Sequence, residues 1–270
     1  MRSLLSRHPD TLFVGGGDGT LHTLLQSGLP DNCPVIMAPL GTANVLSYHL
    51  RGKKDLSVYS ARERLFPVSI RLGEFGGRFF VLMAGIGFDG RAAEKTLPRI
   101  KKFFGSPAYL LAALSAFVAG LGKPASLSFS SGGGSPEIVR TYWAVLRRFP
   151  IYFPPFPTEA PSGIPDRAFR LDIFTGTNRR NLCLFLLGTM LGKTGESWYR
   201  TSLPVEEIRI QGPCSGQMDG ETVRYSTGRF SVSDRRITLL FTEKGLRRSG
   251  ILPGTKRGVS VPSGGPLSFV

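Results

Sequence analysis

The residues best suited to chemistry begin at a run of three glycines. Val14-Gly15-Gly16-Gly17-Asp18-Gly19-Thr20-Leu21 follows the apolar stretch Thr11-Leu12-Phe13-Val14 and leads into a segment of helical spacing, Leu21 to Ser27. Glycines let several backbone N–H groups approach one anion, and the start of the next helix adds the positive end of its dipole. A phosphate group is the natural occupant. Asp18 sits awkwardly there, because a carboxylate repels phosphate unless Mg²⁺ or a proton in transfer lies between them; alternatively it caps the helix. A second turn, Pro39-Leu40-Gly41-Thr42-Ala43-Asn44, ends the next apolar run, Pro34-Val35-Ile36-Met37-Ala38. Loops after adjacent parallel strands line one crevice in an open α/β sheet, so Thr42 and Asn44 are expected to face the same ligand as Asp18. Thr42 also reads as a helix cap. Far along the chain, Met218-Asp219-Gly220-Glu221-Thr222 reads as a hairpin tip, an Asp-Gly turn between β-like flanks. Alone, that tip is most simply a solvated turn.

The elements that position these residues follow from the apolar pattern. Strand, Gly-rich turn, helix, strand, Gly turn and a second helix over Thr42 to Leu50 mark an α/β unit with a parallel sheet. From Phe66 onward, strand-like runs separated by Gly and Pro predict a mostly β second domain. Those runs are Val68–Leu72, Arg78–Met83, Tyr142–Leu146, Ile208–Ile210, Arg229–Val232 and Ile237–Phe241. Ser106 and Pro107 announce a helix that Gly120, Gly122 and Pro124 end. Asn181 to Leu191 is expected to be helical, and Ser130 to Ser135 a loop or hairpin tip. The expected organisation is an α/β domain over 1–64, a β-rich domain over 65–242, and a tail over 243–270 that partly returns to the first domain or is disordered.

Composition narrows the function classes. Hydrophobic residues make up 41% of the 270 and charged residues 20%, enough apolar material for a core. Lys and Arg number 34 against 19 Asp and Glu, a net charge of +15 that attracts nucleic acid, anionic membrane or polyanionic small substrates. Nucleic-acid binding asks for basic residues interleaved with aromatics, and only Arg99 to Phe104 comes close; a solvated turn or a membrane-facing patch explains that run better. The three cysteines and three histidines lack disulfide or zinc-ligand spacing, which fits a reducing cytosol. Residues 1–8 carry too short an apolar run for a signal peptide. Ala108 to Leu121 falls short of the roughly 20 residues that span a bilayer. Two nucleotide-loop lookalikes are set aside. Gly85 to Gly90 fits GxGxxG but lacks the later acidic residue, and Gly188 to Thr194 is one residue short of a Walker loop.

Taken together, Gly16 to Thr20, Pro39 to Asn44, Gly85-Ile86-Gly87-Phe88-Asp89 and Asp219-Gly220-Glu221 resemble the diacylglycerol kinase catalytic-domain family, which includes sphingosine kinases and bacterial soluble lipid kinases. The likeness runs from about Thr11 to Phe241. It implies an α/β nucleotide-binding domain followed by a β-rich lipid-binding domain, with ATP-Mg²⁺ between them. By the resemblance, Gly16, Gly17, Asp18, Gly19, Thr20, Leu21, His22, Gly41, Thr42 and Asn44 would bind ATP, Asp18 would act near Mg²⁺, and Glu221 would be the general base. Such a base suits phosphoryl transfer, which depends on positioning and charge neutralisation. A structural Mg²⁺ site would fall on Asp166, flanked by Gly163 and Ala168. The implied partner is a lipid at the inner, anionic membrane face, approached from the cytoplasm without a spanning segment.

The chain departs from that family in three places. Members begin about 50 to 60 residues earlier relative to the glycine loop, with a first strand and an Asn-Pro turn, so the nucleotide domain is expected to be N-terminally incomplete. A strand edge left bare in that way could pair with a second copy, which makes a homodimer an open expectation. His22 and Thr23 stand where an Asn-Glu pair is usual, and Pro165-Asp166-Arg167 replaces Asp-Asp-Gly. Two alternative readings are an NAD kinase-like enzyme, which shares the Gly-Gly-Asp-Gly-Thr loop, and an inactive lipid- or nucleotide-binding homologue.

Overall fold

The computed structural model describes residues 10–31, 33–41, 44–51, 64–88, 90, 121–130, 135–150, 163–182, 184, 200–251 and 268–269. Strand β1 (Leu12–Gly16) leads into helix α1 (Asp18–Gln26), and β2 (Pro34–Pro39) into α2 (Val45–Arg51). β1 and β2 pair in parallel, Leu12 opposite Val35 and Gly16 opposite Pro39, so both glycine turns leave the same sheet end. This is the strand, turn and helix repeat read from the sequence. Helix α2 begins at Val45, later than Thr42, because Asn44 adopts a left-handed φ of 49°. Thr42 lies outside the described residues.

The β-rich part contains β3 (Leu65–Phe75), β4 (Arg78–Phe80), β5 (Met83–Gly87), β6 (Ala125–Phe129), β7 (Glu137–Thr141), β8 (Trp143–Arg147) and β9 (Phe169–Phe174). It continues with β10 (Arg200–Val205), β11 (Glu207–Gln211), β12 (Cys214–Met218), β13 (Glu221–Tyr225) and β14 (Gly228–Thr242), and the chain then forms α3 (Glu243–Arg248) and β15 (Ser268–Phe269). Six strands make an antiparallel sheet in the order β10-β9-β8-β5-β12-β13. The other nine make a mixed sheet ordered β15-β1-β2-β14-β11-β6-β7, with β3 on β14 and β4 on β3. The fold is thus a mixed α/β layer joined to a largely antiparallel β layer.

Strand β14 couples the two parts. Its end pairs with β2 in parallel and with β3 antiparallel, while its start pairs with β3 and β11. The mixed sheet therefore runs across residue 64, where the sequence pattern marks a boundary. Arg229–Val232 and Ile237–Phe241, expected as separate strands, are one strand with an irregularity between Val232 and Arg236; the polar residues Ser233, Asp234 and Arg235 interrupt the apolar pattern at that bulge. Conversely, Arg78–Met83 splits into β4 and β5. Strand β15 lies parallel to β1, Leu12 opposite Ser268. Segment 179–182 is helical, with Asn178 Oδ1 accepting from the Asn181 amide at 2.9 Å. The helix expected after Pro107, most of the one expected to Leu191 and the Walker-like run lie outside the described residues.

The central strands of the antiparallel sheet, β5 and β8, are buried on both faces. All five residues of β8 are buried, and their alternation sends Trp143 and Val145 into the core with α1 and α2, and Ala144 and Leu146 into the core with β6, β9 and β11. The glycines of the Gly85–Gly90 run serve close backbone packing. Gly87 has a φ of 78°, and a Cβ on Gly90 would lie 2.2 Å from the Gly216 amide nitrogen.

Helix α3 anchors the end of β14 to α2. Thr242 Oγ1 donates to Leu50 O at 3.3 Å and accepts from the Gly245 amide at 3.1 Å, capping α3. A Cβ on Gly245 would meet Leu50 O at 1.9 Å. Gly245→Ala is therefore expected to separate α3 from α2, with an overpacking cost of about 1–3 kcal/mol that exceeds the gain of up to ~1 kcal/mol in helix propensity. Urea unfolding should show a lower midpoint.

Candidate active site

The first glycine turn forms because β1 ends on Gly16, Gly17 sits at the N-cap, and α1 starts at Asp18. Gly17 is extended, with φ −106° and ψ −167°, and its carbonyl accepts the first helical bonds from Thr20 (3.1 Å) and Leu21 (3.3 Å). The two glycine turns touch backbone to backbone: a Cβ on Gly41 would lie 2.4 Å from Gly17 Cα. A side chain at Gly16 would likewise strike Thr20 Oγ1, at 2.3 Å.

Asp18 faces the second turn. Its carboxylate oxygens accept from the Val45 and Leu46 amides, each at 2.9 Å, and so cap α2 from the neighbouring loop. That arrangement accounts for an acid beside a phosphate-type loop: its charge is met by the amino end of another helix. Asn44, 4% exposed, closes its own turn. Its Oδ1 accepts from the Gly41 amide at 3.0 Å, and its Nδ2 donates to Pro39 O at 3.2 Å and to Gly41 O. The side chain expected to face the ligand thus holds the turn together instead.

The opposite wall comes from the antiparallel sheet. β12 and β13 form a hairpin in which Met218 faces Glu221 across Asp219 and Gly220. Both turn residues have positive φ, 49° and 87°, as a two-residue Asp-Gly hairpin turn requires. Asp219, 5% exposed, accepts from three successive amides: Val81 (2.8 Å), Leu82 (2.8 Å) and Met83 (3.1 Å). These bonds turn the chain between β4 and β5, which is why the expected single strand is broken there. The Asp219 amide donates back to Met83 O at 3.0 Å, and Gln217 Oε1 accepts from the Gly220 amide at 2.7 Å.

Glu221 is exposed at the end of this hairpin and reaches the glycine loop. A Cβ on Gly19 would lie 2.5 Å from Glu221 Oε1 and 3.5 Å from its carboxyl carbon. The carboxylate therefore rests on the first turn of α1, in space that only a glycine leaves open. One turn further, His22 is buried with Nδ1 3.7 Å from Asp219 Oδ2. At the far end of α1, Gln26 pairs with β4: its Nε2 donates to Phe79 O at 2.7 Å and its Oε1 accepts from the Phe79 amide at 3.2 Å. Gln26, Gln217 and the carboxylate role of Asp219 escaped the sequence reading. Only Asp219 carried a signal, its place before the Gly of a hairpin tip.

Asp166, Gly163 and Ala168 lie elsewhere, ahead of β9, and they do not fit a Mg²⁺ ion. The Ala168 carbonyl accepts from Arg148 Nη1 at 2.6 Å, and the Asp166 carboxylate faces Arg71 Nε at 3.3 Å and Arg236 Nη2 at 3.5 Å. Three guanidinium groups surround donors that a dication would need. Among the described residues no helix is long and apolar enough to cross a membrane.

Residues 1–69 match the family model for the diacylglycerol kinase catalytic domain. A protein of Pseudomonas fluorescens (strain Pf0-1), named "Probable lipid kinase YegS-like", is 36% identical over 110 residues, 39% of this chain and 35% of that protein. A protein of the same name from Pseudomonas aeruginosa (strain PAO1) is 34% identical over 113 residues, 40% of this chain and 36% of that one. The matched stretch thus spans little more than a third of these relatives. The fold likeness reaches further: a diacylglycerol kinase structure from Bacillus anthracis str. Sterne superposes with a TM-score of 0.61, covering 90% of this chain and 80% of that one at 15% identity. A second structure from that organism gives 0.67, over 90% and 84%, also at 15%. The resemblance to the diacylglycerol kinase family read from the sequence holds, in sequence for the N-terminal part and in fold for most of the chain.

The cross-loop cap is directly testable. Asp18→Ala leaves two amides at the start of α2 without acceptors and is expected to cost about 1–3 kcal/mol. A denaturant titration should show that loss, and Asp18→Asn, which keeps an acceptor oxygen, should recover part of it.

Proposed function

We propose that this chain, whose first 69 residues match the diacylglycerol kinase catalytic domain, transfers the γ-phosphoryl group of ATP to a hydroxyl of a lipid in the diacylglycerol class or a related one. The observation that carries this reading is the approach of Glu221 to Gly19, which sets a carboxylate against the loop best built to hold phosphate. The backbone of Gly16 to Thr20 and the amino end of α1 supply N–H groups for the phosphates. ATP arrives with its Mg²⁺ as the substrate complex, which neutralises charge on the phosphates. Glu221 accepts the proton of the lipid hydroxyl as its oxygen bonds to the γ-phosphorus, and the bond to ADP breaks. Asp18 and Asn44 serve by holding the second turn against the first, and Asp219 by fixing the hairpin that carries Glu221.

Docking on an anionic membrane from the cytoplasmic side suits the net charge of +15 and the exposed position of Glu221. The lipid hydroxyl then reaches the carboxylate at the bilayer surface.

Two variants test this reading. With labelled ATP and vesicles carrying diacylglycerol, monoacylglycerol or a sphingoid base, Glu221→Gln should lower phosphate transfer about 10²- to 10⁴-fold. Equal, background transfer by wild type and variant would refute it. Gly19→Ala substitutes a better helix former and displaces only the tip of Glu221, so its Tm should equal or exceed that of wild type. Its transfer rate should nevertheless fall roughly a hundredfold, because misplacement by about 1 Å costs that much.

A further inference from the structure

The segment ahead of β9 is organised around a guanidinium group. Arg148 follows β8 and is 2% exposed. Its Nη1 donates to Ala168 O at 2.6 Å and its Nη2 to Asp166 O at 3.3 Å. Burial pushes its pKa down, to about 10, with the Asp166 charge opposing and the Arg71 charge adding to the fall, so the group remains cationic at neutral pH. The Asp166 carboxylate completes the cluster through Arg71 and Arg236, and Arg71 also pairs with Asp234. The resemblance put a divalent ion on Asp166, Gly163 and Ala168. A dication within reach of the same carbonyl as Arg148 would face like charge at close range in a buried setting.

We propose that Arg148 is a built-in cation standing in for the divalent ion that the resemblance implies at Asp166, so that this chain holds residues 166–168 in place with no bound ion. Guanidinium suits the task, because its planar fork can serve two carbonyl oxygens at once, and lysine cannot match that geometry. The main chain of this segment also connects to the candidate active site by two hydrogen bonds. The Arg148 amide donates to Leu82 O at 2.9 Å, and the Leu82 amide donates to Asp219, two residues before Glu221.

Thermal melts of the nucleotide-free full chain, in excess EDTA and in millimolar Mg²⁺, test it without an activity assay. Wild type is expected to melt at the same Tm in both. A resident ion held at about a hundredfold over its Kd would instead raise Tm by roughly 5–10 °C, and such a fall in EDTA would overturn the proposal. Arg148→Met frees the Ala168 carbonyl and removes the nearest positive charge. Its Tm in EDTA is expected to lie below that of wild type and to rise with Mg²⁺. A variant that melts like wild type, or that ignores Mg²⁺, would overturn the equivalence of the two cations. Arg148→Lys, which keeps the charge without the fork, should recover part of the lost Tm. Should Arg148→Met fail to fold, the wild-type comparison still decides.

Discussion

The carboxylate of Asp219 is the contact on which the site depends most. A buried carboxylate is costly unless its oxygens are satisfied, and here three successive backbone amides, from Val81 to Met83, satisfy them. The same bonds break β4 from β5, fix the left-handed hairpin turn, and aim Glu221 at α1. Removing that one acceptor would leave the amides between β4 and β5 unpaired and the turn unsupported. From the other side, Gln26 ties α1 to β4, so the helix and the hairpin are registered through the same short stretch of chain.

Asp18, Asp219 and Glu221 divide between two tasks. Asp18 and Asp219 each accept from consecutive backbone amides of a neighbouring segment, and both act as joints. Glu221 is exposed and rests beside Gly19, where a group can meet a substrate. The distinction is physical rather than chemical: short Asp side chains suit close capping of a helix start or chain turn, and the longer Glu projects from the hairpin. Arg148 extends the scheme by one more joint, from residues 166–168 through Leu82 to the hairpin.

Much of this was legible in the sequence. Apolar runs ending in glycine gave β1, β2 and their helices, and Asp219-Gly220 between β-like flanks gave the hairpin. What escaped were contacts between residues far apart in the chain. No local pattern says that Asp18 caps α2, that Asp219 reaches Val81, or that Arg148 takes the carbonyl of Ala168; each depends on which segments the strand order brings side by side. Nor does spacing reveal that β14 runs unbroken past Ser233 to Arg235, since a bulge looks like a strand end. The glycines at Gly87 and Gly90 mimicked a nucleotide loop because tight strand packing and phosphate binding both select for a missing Cβ.

In the proposed reaction Gly19 matters because Glu221 lies against it. The decisive measurement is a double-mutant cycle in kcat/KM for ATP-dependent lipid phosphorylation, built from Gly19→Ala and Glu221→Gln. If the methyl group at residue 19 acts by displacing the carboxylate, Gly19→Ala should lower kcat/KM in the wild-type background and change it little once Glu221 is already Gln. The same fold-loss in both backgrounds would mean that the two residues act independently, and would contradict the account.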